Sequence, residues 1–169
     1  EFDRHTISST DFSNTNHAAI TAGSRPADPS YQGCGSDTQN CDVGEFTMDD
    51  VTYTNVDSAF AHGSGQGTIV TMSNFAITDS RSSCFNFAQN TVATLTGTAG
   101  NPSTMTRCNT NNYDWAGAVA SDYDGLIASG QMLGSSAGSL TMEYVDIVDS
   151  KVSLIRTDFQ TVTISDVTA

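Results

Sequence analysis

Apolar and polar positions alternate in short bursts along most of this chain. Phe46-Thr47-Met48 is followed by the polar pair Asp49-Asp50, then by Val51-Thr52-Tyr53, Thr54-Asn55 and Ser58-Ala59-Phe60. The same parsing fits Val70-Thr71-Met72, Phe75-Ala76-Ile77 and Ser82-Ser83-Cys84, and again Leu140-Thr141-Met142, Val145-Asp146-Ile147 and Val152-Ser153-Leu154. Each triplet reads in, out, in. A period of two, broken every few residues by Asp, Asn, Ser or Gly, predicts short strands with polar corners and argues against helices.

The bursts recur at a longer period. Met48, Met72, Leu95, Met142 and Ile164 close the triplets FTM, VTM, ATL, LTM and VTI, at steps of 24, 23, 47 and 22 residues. Because 47 is about twice the other steps, a poorly marked copy is expected near Val119, giving about six copies of 22–24 residues. A fixed period in this range signals stacked units, none of which can bury its apolar face alone. Parallel, in-register stacking would place equivalent residues about 4.8 Å apart. Three inward columns follow: Phe46, Val70, Ala93, Leu140 and Val162; Met48 to Ile164 as above; and Val51, Phe75, Thr98, Val145 and Val167. Thr98 is the weak member, where the stretch GTAGNPST interrupts the pattern.

Over roughly residues 44–169 this pattern resembles the right-handed parallel β-helix of the pectate-lyase-like superfamily. The likeness is one of coil length and three short strands per coil, with no signature motif. It implies an all-β solenoid of about six coils of 22–24 residues. The variable spacing does not fit the strict hexapeptides of left-handed β-helices. Residues 1–43 lack the period and are rich in Ser, Asn, Asp, Gly and Pro, which predicts an irregular N-terminal cap ahead of a repeat domain at 44–169. The last stretch, TVTISDVTA, stops inside a coil, so the natural chain is expected to continue or to be capped by another subunit.

Charge narrows the partners. With 6 Lys and Arg against 19 Asp and Glu, the formal net charge of −13 opposes nucleic acid. No apolar run approaches the roughly 20 residues a membrane-spanning helix needs. The carboxylates would attract Ca²⁺, but no cofactor or metal ligand is assigned. Four cysteines in a Lys-poor, polar chain suit an oxidising compartment, so a secreted or cell-surface protein is expected. Cys34 and Cys41 would close a tight loop. Cys84 and Cys108 lie 12 and 13 residues after Met72 and Leu95, at positions matched to Phe60 and Leu154 in other coils, and are expected to bridge neighbouring coils.

Three sets of residues carry candidate chemistry. The outward column Thr47, Thr71, Thr94, Thr141 and Thr163 would lie on a flat sheet and resembles half of the paired Thr ranks of ice-binding solenoids. The next rank, Asp49, Ser73, Thr96, Glu143 and Ser165, carries two carboxylates, which weakens that analogy. Tyr113, Trp115 and Tyr123 fall in an irregular stretch whose aromatic rings could stack on sugars. The resemblance to pectate lyases implies a cleft with Ca²⁺-binding carboxylates and an Arg or Lys base. Arg81 and Lys151 near Asp79 and Asp149, and the pairs Asp122/Asp124 and Glu143/Asp146, are the groups that would serve, but no catalytic residue is assigned. The leading expectation is a non-catalytic extracellular module of a surface, adhesive or matrix protein, with polysaccharide or another surface as partner. A carbohydrate-active lyase or hydrolase is the first alternative and ice binding the second. The oligomeric state is left open.

Overall fold

A computed structural model of the chain describes residues 4–15, 19–22, 44–62, 68–81, 83–87, 91–108, 125–129, 138–149, 153–156 and 160–168. All the regular structure in them is β. The strands are β1 (Arg4–Ser13), β2 (Ile20–Ala22), β3 (Glu45–Thr54), β4 (Phe60–His62), β5 (Ile69–Thr78), β6 (Phe85–Phe87), β7 (Val92–Thr96), β8 (Ser103–Thr106), β9 (Gly125–Ser129), β10 (Ser139–Val148), β11 (Ser153–Arg156) and β12 (Thr161–Thr168).

The chain alternates between two parallel sheets. The long sheet runs β1-β3-β5-β7-β10-β12, with β8 beside β5 and β10; the second runs β11-β9-β6-β4-β2. Every named strand pair is parallel. Met48 pairs with Met72, Met72 with Leu95, Leu95 with Met142, and Met142 with Ile164, so the first inward column forms as the spacing predicts. Met48, Met72, Leu95 and Met142 are fully buried, as are Val70 and Leu140 in the neighbouring column.

A left-handed residue at each corner makes this possible. In a regular strand, residues three apart face opposite sides. Met48 and Val51 both face the core because Asp50 between them sits at φ 54°. Asn74 (φ 51°) and Tyr144 (φ 53°) do the same for Met72/Phe75 and Met142/Val145. The pairing passes over these residues: Asp49 meets Ser73 and Val51 meets Phe75. A second corner column holds Asn14, Asn55, Asp79, Arg107 and Asp149, at φ 52–60°. Asn and Asp tolerate this region best because their short polar side chains bond locally.

Four features differ from the sequence expectation. First, Arg4–Ser13, within the stretch expected to be irregular, is a full strand of the long sheet, with Thr6 opposite Thr47. Second, no strand stands between β7 and β10, which pair directly. The step of 47 residues is one long excursion, which rejoins the second sheet at β9, and there is no extra copy near Val119. Third, Ser103 replaces Thr98 in the column of Val51 and Phe75, because Val145 pairs with Ser103 while Thr98 and Asn101 close a small turn. The Ser103 hydroxyl accepts from Phe75 N at 3.0 Å and donates to Thr96 O at 2.7 Å, taking up backbone groups that the excursion would strand. Fourth, Phe60 pairs with Phe85, so Ala59 is the counterpart of Cys84, while Cys108 is level with Val56 and Ser80.

Cys84 and Cys108 are nonetheless disulfide-bonded, with their Cα atoms 5.5 Å apart. Their offset explains how parallel neighbours bridge, since side chains stacked in one column point the same way. The link spans 24 residues and contributes about 3 kcal/mol by restricting the unfolded chain. Cys34 and Cys41 lie outside the described residues.

Gly97 starts the excursion where there is no room for a side chain. A Cβ there would meet Ser103 N at 2.3 Å and Tyr144 O at 2.4 Å, whereas one on Gly100 would meet nothing within 4 Å. Gly97→Ala should therefore cost about 1–3 kcal/mol in urea unfolding, and Gly100→Ala about 0.5 kcal/mol or less. Equal effects would contradict this local geometry.

Candidate functional site

The most regular surface feature is a line of threonines. Thr6, Thr47, Thr71, Thr94, Thr141 and Thr163 are paired in succession across the long sheet, one per strand. The inner four are half-buried and the outer two exposed. Each sits between two inward residues, so alternation sends its side chain outward with the β-branch packed along the strand. The pairing holds the line straight, with one hydroxyl and one methyl about every 4.8 Å.

Two further outward columns flank it. Ser8, Asp49, Ser73, Thr96, Glu143 and Ser165 lie on the corner side. Asp49 is held in place: Ser73 Oγ donates to its Oδ1 at 2.6 Å and Asn74 Nδ2 at 2.8 Å. Those two bonds hold its carboxyl below the usual carboxylate range. On the other side Arg4, Glu45, Ile69, Val92, Ser139 and Thr161 succeed one another, with Arg4 and Glu45 ion-paired at 2.9 Å. The face is thus hydroxyl-rich with scattered apolar and charged edges.

Beyond the corner, carboxylates alternate with hydroxyls. Thr52 donates to Asp11 and Thr168 to Asp146. Ser9 Oγ donates to Asp50 at 2.8 Å, and Asn55 Nδ2 to Asn14 Oδ1 at 2.8 Å. These bonds tie successive strands together at the corners.

The charged strip forms with a different cation. Asp79 is paired not with Arg81 but with Arg107, in a two-pronged contact of 2.5 and 2.9 Å. Arg81 instead reaches Thr15 O and approaches Asp57 at 4.0 Å. Sequence spacing hid Arg107 because the excursion from Gly97 to Pro102 shifts it out of the repeat. Glu143 and Asp146 stand on opposite sides of the Tyr144 corner, and the Asp146 carboxylate is engaged by Thr168. Among the described residues, no group of three or more His, Cys, Asp or Glu is arranged to hold a metal ion. Tyr113, Trp115, Tyr123, Asp122, Asp124 and Lys151 lie outside the described residues.

Thr6 is the member of the threonine line that sequence spacing missed. Its triplet, His5-Thr6-Ile7, has the same form as Val162-Thr163-Ile164, but it precedes Thr47 by 41 residues and so falls off the period.

Comparison with protein-family models, with curated proteins and with solved structures found no match to this chain.

The Asp79–Arg107 contact gives an acid-side signature. The hydrogen bond from Arg107, followed by its charge, lowers the Asp79 carboxyl. Its stabilisation is therefore complete above the unfolded value of about 3.9 and is lost as pH falls through the lower folded value. Both side chains are substantially exposed, at 45% and 40%, so the effect is below about 1 kcal/mol. Asp79→Asn should flatten the acid limb of the urea midpoint below about pH 4. Identical acid limbs in the two proteins would contradict the assignment.

Proposed function

We propose that this chain is a right-handed parallel β-helix of the pectate-lyase-like type, acting as a non-catalytic extracellular module that holds a repetitive surface on its threonine face. The reading of the fold is supported by the alternation of the chain between two parallel sheets in constant register. An extracellular setting is supported by the Cys84–Cys108 disulfide and the acidic composition.

The observation that carries the binding role is the unbroken run of six threonines, one per strand. A straight row of fixed hydroxyls and methyls suits a ligand that is itself flat and periodic. The neighbouring Ser, Asp and Glu ranks add acceptors for sugar hydroxyls, so an insoluble polysaccharide is the preferred partner. Pre-set side chains lose little freedom on binding, which favours many weak contacts repeated along the sheet.

Ice is the second reading, favoured by Thr6, which lengthens the column by one rank. The carboxylates of Asp49 and Glu143 in the adjacent rank count against it.

Co-sedimentation with a panel of insoluble polysaccharides tests the role. The intact chain should be retained by at least one. Thr71→Tyr and Thr94→Tyr, which break the flat row without touching the core, should weaken retention at least tenfold, about 1.4 kcal/mol, at unchanged melting temperature. Retention indifferent to both substitutions would remove the threonine face from the account. New reducing ends or unsaturated products would instead identify a carbohydrate-active enzyme. Thermal hysteresis abolished by Thr94→Tyr would identify an ice binder.

A further inference from the structure

The two outermost strands of the long sheet match each other. Among the described residues no strand covers the outer edge of β12, where Val162 and Ile164 are 40% and 43% exposed. Their column partners in the preceding strand, Leu140 and Met142, are fully buried. At the other end β1 pairs only with β3, leaving His5 exposed and Ile7 and Phe12 half-buried. Each end therefore shows half of the contact that every interior strand makes on both sides.

A second copy, shifted along the sheet by one strand spacing, brings its β1 beside β12 in the parallel sense used throughout. In the register that continues the threonine line, the second copy's Thr6 meets Thr163, its Ile7 meets Ile164 and its Ser8 meets Ser165. The corners coincide as well, since Ser9 (φ 46°) and Asp166 (φ 50°) are both left-handed and fall at the same level. The polar pattern also continues. Thr168 donates to Asp146 and Asp11 accepts from Thr52, so docking extends the order Asp, Thr, Asp, Thr without placing two carboxylates side by side.

We propose that copies of this chain associate head to tail, the β1 edge of one docking on the β12 edge of the next. The contact is heterologous: the two surfaces differ, so each added copy exposes a fresh β12 edge and growth is linear. Edge pairing of this kind combines main-chain hydrogen bonds with side-chain columns already in register. The formal charge of −13 per copy opposes it, so association strengthens with salt as the screening length falls from about 10 Å at 0.1 M to about 3 Å at 1 M. A linear array would also extend the threonine line, although the proposal does not depend on what that line binds.

Sedimentation velocity and negative-stain microscopy of the full chain in 0.1 and 1 M NaCl test this. Concentration-dependent linear oligomers, favoured at 1 M, are expected. Ile164→Lys, blocking β12, and Ile7→Lys, blocking β1, should each give monomers, while an equimolar mixture should form dimers and stop there. Circular dichroism checks that each variant is folded, and His5→Glu, at an exposed position, replaces Ile7→Lys if that variant is not. Monomers of the unaltered chain at all concentrations and salts would overturn the proposal. So would dimers formed by Ile7→Lys alone, which would indicate symmetric pairing of β12 edges, or assembly indifferent to both substitutions.

Discussion

A left-handed backbone between two inward side chains is what the rest of the molecule depends on. At Asp50, Asn74 and Tyr144 it lets residues three apart face the same interior, and the hydrogen-bonded pairing simply passes over the corner. Without it, Val51 would face solvent whenever Met48 faced the core. With it, one chain passage supplies two inward pairs of side chains and turns between them. Repetition of that geometry at the same level in successive strands keeps parallel neighbours in register, and the corner carboxylates and amides bond from strand to strand across the gap.

Much of this was legible from residue type. The triplets named the inward columns and the outward threonines, because alternation is a direct consequence of strand geometry. Asp and Asn marked most of the corners for the same reason that they favour turns. What spacing could not reveal lay wherever a loop changed the count. Thr6 was hidden by a long excursion before Glu45, Arg107 by the short one after Gly97, and the step from Leu95 to Met142 counterfeited a missing copy. In the third column, Ser103 stands where Thr98 was expected, because the hydroxyl there serves the backbone rather than the core. The cysteine bridge was anticipated, but its geometry was not, since Cys108 follows a corner residue and Cys84 does not.

The same constraint organises the surface. Strict register converts a modest preference for Thr on half-exposed strands into a straight row, and it makes the first and last strands of the long sheet chemically alike. The proposed binding face and the proposed head-to-tail contact are thus two results of one repeat, read along the sheet in the first case and at its ends in the second.

The distance between Thr6 and Thr163 tests the stacking most directly. With nitroxides carried by unnatural amino acids at these two sites, in protein diluted with unlabelled chains, pulsed electron paramagnetic resonance should give a narrow distribution near 24 Å, five strand spacings of about 4.8 Å. Moving the second label to Thr141 should shorten it by about one spacing. A broad distribution, or two distances that do not differ by one strand, would contradict the in-register parallel arrangement.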